Sequence, residues 1–184
     1  MATEAGPLYR MAPVAMISTF IGAVPLGIAR HALDEFVALS QRKVPVLSQD
    51  VLADKPVANT KLGRAKALVE SGHKYVRGLL AEQWAAVGNG HRPTMADRGA
   101  LWLAAAHAGQ TALEAIELLY GAAGADAVYA TSPLDRCLRD ARTAVQHICT
   151  QEVNYEVAGR LTSGRVDATM ASHWIMDYRG EPIT

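Results

Sequence analysis

The residues best suited to chemistry in this chain lie in the stretch Ser132 to Ile148 and in two segments upstream of it. At about 100° per residue, Arg136, Arg139, Asp140, Thr143 and His147 share one side of a helix through that stretch. This row offers two cations, a carboxylate, a hydroxyl and an imidazole, the groups used to hold an anion or carry a proton. A solvated helix face has the same composition, with Arg136 and Asp140 as an ordinary i,i+4 pair. The second segment, Gly121-Ala122-Ala123-Gly124, reads either as a helix C-cap with a tight turn or as a loop whose backbone N–H groups approach a phosphate. No strand precedes it and no Gly-Lys-Ser/Thr follows it, so it is not a nucleotide fingerprint. Arg42, the third candidate, is a solvated loop cation or a phosphate clamp. Glu114 and Glu117 form a plain helix-face pair. The six histidines are scattered without metal-ligand spacing.

The elements that must position these groups read as helices. Ser132 is an N-cap signal, Pro133 suits the first helical position, and Asp135 favours the positive end of the helix dipole. Leu134, Cys137, Leu138, Ala141, Val145 and Ile148 form the apolar stripe of this fourth helix. The spacing predicts a first helix from Pro13 to Gln41, kinked near Pro25, with small contact positions at Gly22, Ala23, Gly27, Ala29 and Ala32. A second helix follows Asp54 as N-cap and Pro56, and stops at Gly88-Asn89-Gly90. A third opens with Thr94 and Asp97 in a capping box and ends at Tyr120-Gly121. Asn154 to Leu161 reads as a short further helix. No segment shows convincing strand alternation.

The expectation is therefore an all-α, up-down-up-down four-helix bundle over residues 13–163. A flexible lead-in is expected at 1–12 and a tail at 164–184, whose Trp174, Ile175 and Met176 could dock on the body. The chain has 184 residues, half of them hydrophobic and a fifth charged, enough for one domain with a core. Its 18 basic and 18 acidic side chains cancel, which gives no support for a nucleic-acid partner. Met11 to Ala29 carries no charge, but Ser18, Thr19, Gly22, Pro25 and Gly27 interrupt it. A buried or intersubunit helix is expected rather than a membrane span. Cys137 and Cys149 read as small buried thiols in a reducing cytoplasm. On one continuous helix they would be roughly 18 Å apart, too far for a disulfide.

Three motifs together resemble a known family. They are Gly27-Ile28-Ala29-Arg30-His31-Ala32-Leu33-Asp34-Glu35-Phe36, Leu118-Leu119-Tyr120-Gly121-Ala122-Ala123-Gly124-Ala125, and Ser132-Pro133-Leu134 followed by Arg139-Asp140 and Gln146-His147. From about Leu8 to Arg165 the chain is similar to the C-terminal helical domain of the acyl-CoA dehydrogenase superfamily. More narrowly, it resembles the type-2 branch of two-component flavin-dependent monooxygenases.

The resemblance implies a flavin, FMN or FAD, bound partly across a subunit interface of a homotetramer. Arg42 matches an arginine that contacts a neighbouring subunit's flavin phosphates. Tyr120, Gly121 and Gly124 match the segment along the cofactor's phosphate side. Arg139 and Asp140 carry over as supporting residues. His147 matches the histidine facing the flavin ring and substrate, where an imidazole that titrates near neutrality can manage a proton. The glutamate base of the dehydrogenases has no counterpart here: His147 and Ile148 stand in its place, and Glu152 falls about one helical turn late. Hydroxylation with oxygen and reduced flavin is thus the expected chemistry. The chain lacks the family's N-terminal helical and β domains. It is therefore expected to need that missing portion, and a flavin reductase, as partners. The alternatives are a non-catalytic oligomerisation module and a fragment of an acyl-CoA dehydrogenase proper.

Overall fold

The computed structural model describes residues 6–165. Five α-helices follow one another: α1 (Pro13–Ser40), α2 (Pro56–Gly88), α3 (Met95–Ala123), α4 (Pro133–Ala144) and α5 (Val153–Thr162). Short 3-10 turns occupy Pro7–Arg10, Leu52–Asp54 and Gly124–Ala127. No strand occurs among the described residues. Within the expected lead-in, Pro7–Arg10 packs on α2, and Met11 and Ala12 are buried. The expected docking of Trp174, Ile175 and Met176 lies outside the described residues.

The organising element is α3. A surface helix buries one stripe, but α3 buries the consecutive residues Ala104, Ala105 and Ala106 as well as Leu101, Trp102, Ile116 and Leu119. Small side chains let its neighbours approach from several sides. Against α1, a Cβ placed on Gly22 would come within 2.9 Å of Ala105 Cα. Four residues earlier, the Ser18 hydroxyl donates to Ala15 O at 2.5 Å and lies 3.5 Å from Leu101 O. The pairs 18/101 and 22/105 advance together, so α1 and α3 run parallel. Against α2, Gly72 faces Ala108 and Thr111, while Gln83 donates to Asp97 O at 2.6 Å. That order is antiparallel. Gly109 against Val145 and Glu117 against Arg142 make α4 antiparallel to α3. These three helix pairings are those of an up-down-up-down bundle. α5 docks beside them, with Leu161 over Gly99.

Several boundaries differ from the sequence expectation. The second helix is capped at Lys55, because Asp54 closes the 3-10 turn before it. The third runs through Gly121 to Ala123. Ala122 and Ala123 sustain the helix, and Gly124 ends it by taking φ +63°. Ser132 sits at the N-cap of α4, but its side chain makes no capping bond. The fourth helix ends at Ala144 rather than Ile148. The Thr150 hydroxyl donates to Ala144 O (2.8 Å) and His147 O (2.9 Å), and the Asn154 amide donates to Ile148 O (2.8 Å). These bonds capture carbonyls that a continuing helix would use. Ile148 accordingly leaves the apolar stripe and is exposed. The premise of one helix carrying both cysteines falls with it, yet both are free and buried as expected.

By length and composition, α1 is the one described helix able to cross a membrane. Here it packs one face into the bundle through Leu26, Ala29, Leu33 and Phe36.

Candidate functional site

Two adjoining clefts lie where α1 passes the start of α4. The larger, about 770 Å³, is walled by Val24, Gly27, Ile28 and His31 of α1 and by Arg136, Cys137 and Asp140 of α4. The smaller, about 310 Å³, is bounded by Glu35, Leu39, Arg42, Asp126 and Tyr129. Thr131, Ser132 and Pro133 belong to both. The region exists because Gly27 presents no side chain to fill it, with nothing within 4 Å of a Cβ built there. The antiparallel course of α1 and α4 also brings the end of one helix to the beginning of the other.

The structure places the sequence-derived candidates as follows. Arg42 borders the smaller cleft, just beyond the end of α1, and its Nη1 donates to Ala38 O at 3.4 Å. Asp140 borders the larger cleft and accepts from Arg136 Nε at 3.4 Å. Arg139 is not in either wall: its Nε donates to Asp135 at 2.9 Å on the exposed side of α4. Tyr120 is half-buried and packs against the main core from the last turns of α3. Gly121 is exposed on that helix, where a Cβ would lie 3.7 Å from Lys61 Nζ. Gly124 is the turn after it, 3.7 Å by the same measure from Lys43 Nζ. Gly121 thus lies in the last turn of α3 and Gly124 at its C-cap, the helix-end reading of this segment, and of the three only Arg42 borders a cleft.

His147 stands apart. It lies past the far end of α4, whose 12 residues span about 18 Å. The ring is exposed, and Nδ1 accepts from the Cys149 N–H at 3.2 Å. A neutral imidazole that accepts at Nδ1 carries its proton on Nε2, so the turn sets the tautomer. The exposed site for proton chemistry is therefore Nε2.

Lys43 and Asp126 are two residues that pattern reading passed over. Lys43 Nζ donates to Ala123 O at 2.5 Å and pairs with Asp126 at 3.1 Å. Periodicity cannot find such a contact. The available signal was a second cation directly after Arg42 at a helix end. Cys137, in the wall of the larger cleft, has its thiol pKa pushed up by burial, with smaller contributions from the Asp140 and Glu35 charges.

The described residues form an all-helical bundle with two clefts along its first helix. The chain belongs to the family described as acyl-CoA dehydrogenase, C-terminal domain, which matches residues 19–152. It is 29% identical over 159 residues to an indole-3-acetate monooxygenase of Pseudomonas putida, a match covering 86% of this chain and 41% of that protein. Among solved structures it is similar to a 3-HSA hydroxylase of Rhodococcus sp. RHA1, with TM-score 0.81 and 24% identity over 91% of this chain and 44% of the other. It is also similar to XiaF of Streptomyces sp., in complex with FADH2 and glycerol, with TM-score 0.82 and 22% identity over 90% and 42%. The two structural likenesses show the fold. The chain spans about 41% of the length of the curated relative it matches.

Proposed function

We propose that this chain is the C-terminal flavin-binding and oligomerisation domain of a cytoplasmic flavin-dependent monooxygenase. The carrying observation is the family match together with Arg42 and Ser132 lining one cleft where α1 ends and α4 begins. The residues present fit the phosphate end of a flavin. Arg42 supplies a bidentate cation, Ser132 keeps its hydroxyl out of the N-cap bond, and the cleft between them, about 310 Å³, has room for a phosphate or diphosphate. Neither of the two clefts includes His147, and the wall facing the flavin ring is assigned to the N-terminal helical and β portions of a complete enzyme.

When bound, the flavin supplies the oxygen activation. The chain's own residues then have separate tasks. Arg42 neutralises phosphate charge. Arg139 and Asp140 hold the α4 surface through their pairs with Asp135 and Arg136. His147 presents its Nε2–H as a hydrogen-bond donor to the reacting centre.

Arg42 borders the start of α4 and His147 lies past its end, an arrangement that suits a cofactor shared between subunits, with the phosphate on one and the ring near another. The exposed Val14, Ile17, Phe20 and Val24 of α1 give such an assembly an apolar face to bury. Val46 and Leu47 at the loop tip after Arg42 add to it, at 93% and 104% exposure. A homotetramer with a separate flavin reductase is the proposed working form.

The test of this role is His147→Ala in an enzyme completed with the missing portions. Hydroxylated product per flavin oxidised should fall by about 10²-fold or more while flavin affinity stays within a few-fold of wild type. Full coupling in the variant would remove His147 from the mechanism. A solution mass equal to the monomer, with no flavin bound under any condition, would instead leave only a helical module.

A further inference from the structure

Arg42 is proposed to meet phosphate, and its guanidinium donates to Ala38 O of the helix it follows. The rigidity of its loop comes from the next residue. Lys43 N donates to Leu39 O at 3.0 Å, and Lys43 O accepts from Leu52 N at 2.7 Å, which fixes its backbone on both sides. Its side chain, 15% exposed, then crosses to a segment 80 residues away. There Nζ donates to the carbonyl of Ala123, the last residue of α3, at 2.5 Å. It also pairs with Asp126 Oδ1 at 3.1 Å. A cation at a helix C-terminus meets the negative end of the dipole and one of the helix's last carbonyls. One ammonium therefore joins the end of α3 and the Gly124–Ala127 turn to the loop carrying Arg42.

A second consequence is electrostatic. Asp126 and Glu35 are the two carboxylates that line the same 310 Å³ cleft as Arg42, and Asp126 is the one that Lys43 pairs. An unpaired carboxylate in that wall would repel an anionic ligand, and its pairing with Lys43 cancels the charge.

We propose that Lys43 is a positioning residue for the phosphate end of the flavin. It holds the Gly124–Ala127 turn in register with Arg42 and neutralises Asp126. The proposal rests on the flavin reading of Arg42 given above.

The experiment compares the full chain with Lys43→Met, Lys43→Arg, Asp126→Asn, Lys43→Met/Asp126→Asn and Arg42→Met. It reads amide hydrogen exchange across residues 123–128 and FAD affinity by fluorescence quenching. Lys43→Met should speed exchange in that segment about tenfold and weaken FAD about tenfold, the loss expected for a charge-assisted bond, while Lys43→Arg keeps most of both. The double variant should regain part of the affinity lost in Lys43→Met, because the repelling carboxylate is gone, although its turn remains loose. A merely structural lysine would not show that recovery. Unchanged exchange and affinity in Lys43→Met, beside loss of binding in Arg42→Met, would overturn the role of Lys43 and leave the flavin reading standing. Absence of FAD binding by the unmodified chain would sink the flavin reading and this proposal with it. A double variant no tighter than Lys43→Met would refute the neutralisation of Asp126.

Discussion

Gly22 backs onto Ala105 so closely that α1 and α3 meet backbone to backbone: a Cβ on Gly22 would sit 2.9 Å from Ala105 Cα and 3.1 Å from its carbonyl oxygen. Neither atom belongs to a side chain that can turn aside. Gly22→Val should therefore push the two helices apart and cost about 1–3 kcal/mol in urea unfolding. Gly27, five residues on in the same helix, has open space around it. Gly27→Ala should be neutral or stabilising by up to about 1 kcal/mol, the helix-propensity difference. Equal effects of the two substitutions would contradict this packing.

The start of α3 supplies a pH-dependent contribution. Asp97 is partly buried, which alone would raise its pKa. The bonds from His91 (2.8 Å), the Thr94 hydroxyl (2.7 Å) and the Thr94 N–H (2.7 Å) outweigh burial and hold it below its ordinary 3.8. A carboxylate more acidic folded than unfolded stabilises the fold fully above the unfolded value, and loses that contribution as pH falls through the folded one. Asp97→Asn should cost about 1 kcal/mol at neutral pH, as for a lost cap, and flatten the stability profile below about pH 4. Denaturant melts at several pH values check both.

These two elements also show what the sequence makes legible. The Thr94/Asp97 box is local, four residues that satisfy each other, and its spacing alone announces it. The lengths of the helices are local too, until side chains from further along intervene. Nothing before Ile148 signals that α4 stops at Ala144; the signal is the hydroxyl of Thr150 and the amide of Asn154, which take carbonyls from the helix path. The candidate site was legible in a different way. Arg42 and His147 had chemically suitable side chains, but only family likeness gave them roles. Lys43 and Asp126 were invisible because their contact joins the loop after α1 to the turn after α3. The same distant approach of α1 to α4 makes the larger cleft, so its His31 wall could not be read from spacing.

Both cysteines should behave as core residues rather than reactive thiols. Burial pushes the pKa of Cys149 up, and burial with the nearby Asp140 and Glu35 charges pushes that of Cys137 up. Since the thiolate is the nucleophile, iodoacetamide at pH 8 should label both at least about tenfold more slowly in the folded chain than in denaturant. Rapid labelling of Cys137 in the folded state would mean that the α1–α4 cleft opens far wider than its walls suggest.

The central claim is that this bundle end holds the phosphate side of a flavin through Arg42, and one titration tests it most directly. The full chain is titrated with FAD and, in parallel, with FMN, and flavin fluorescence is followed with inorganic pyrophosphate as competitor. The account predicts saturable binding of one flavin per chain, displaced by pyrophosphate, and weakened about tenfold or more in Arg42→Met, as expected for loss of a charge-assisted contact. Binding that is the same in Arg42→Met as in the unmodified chain, or no saturable binding of either flavin, would contradict it.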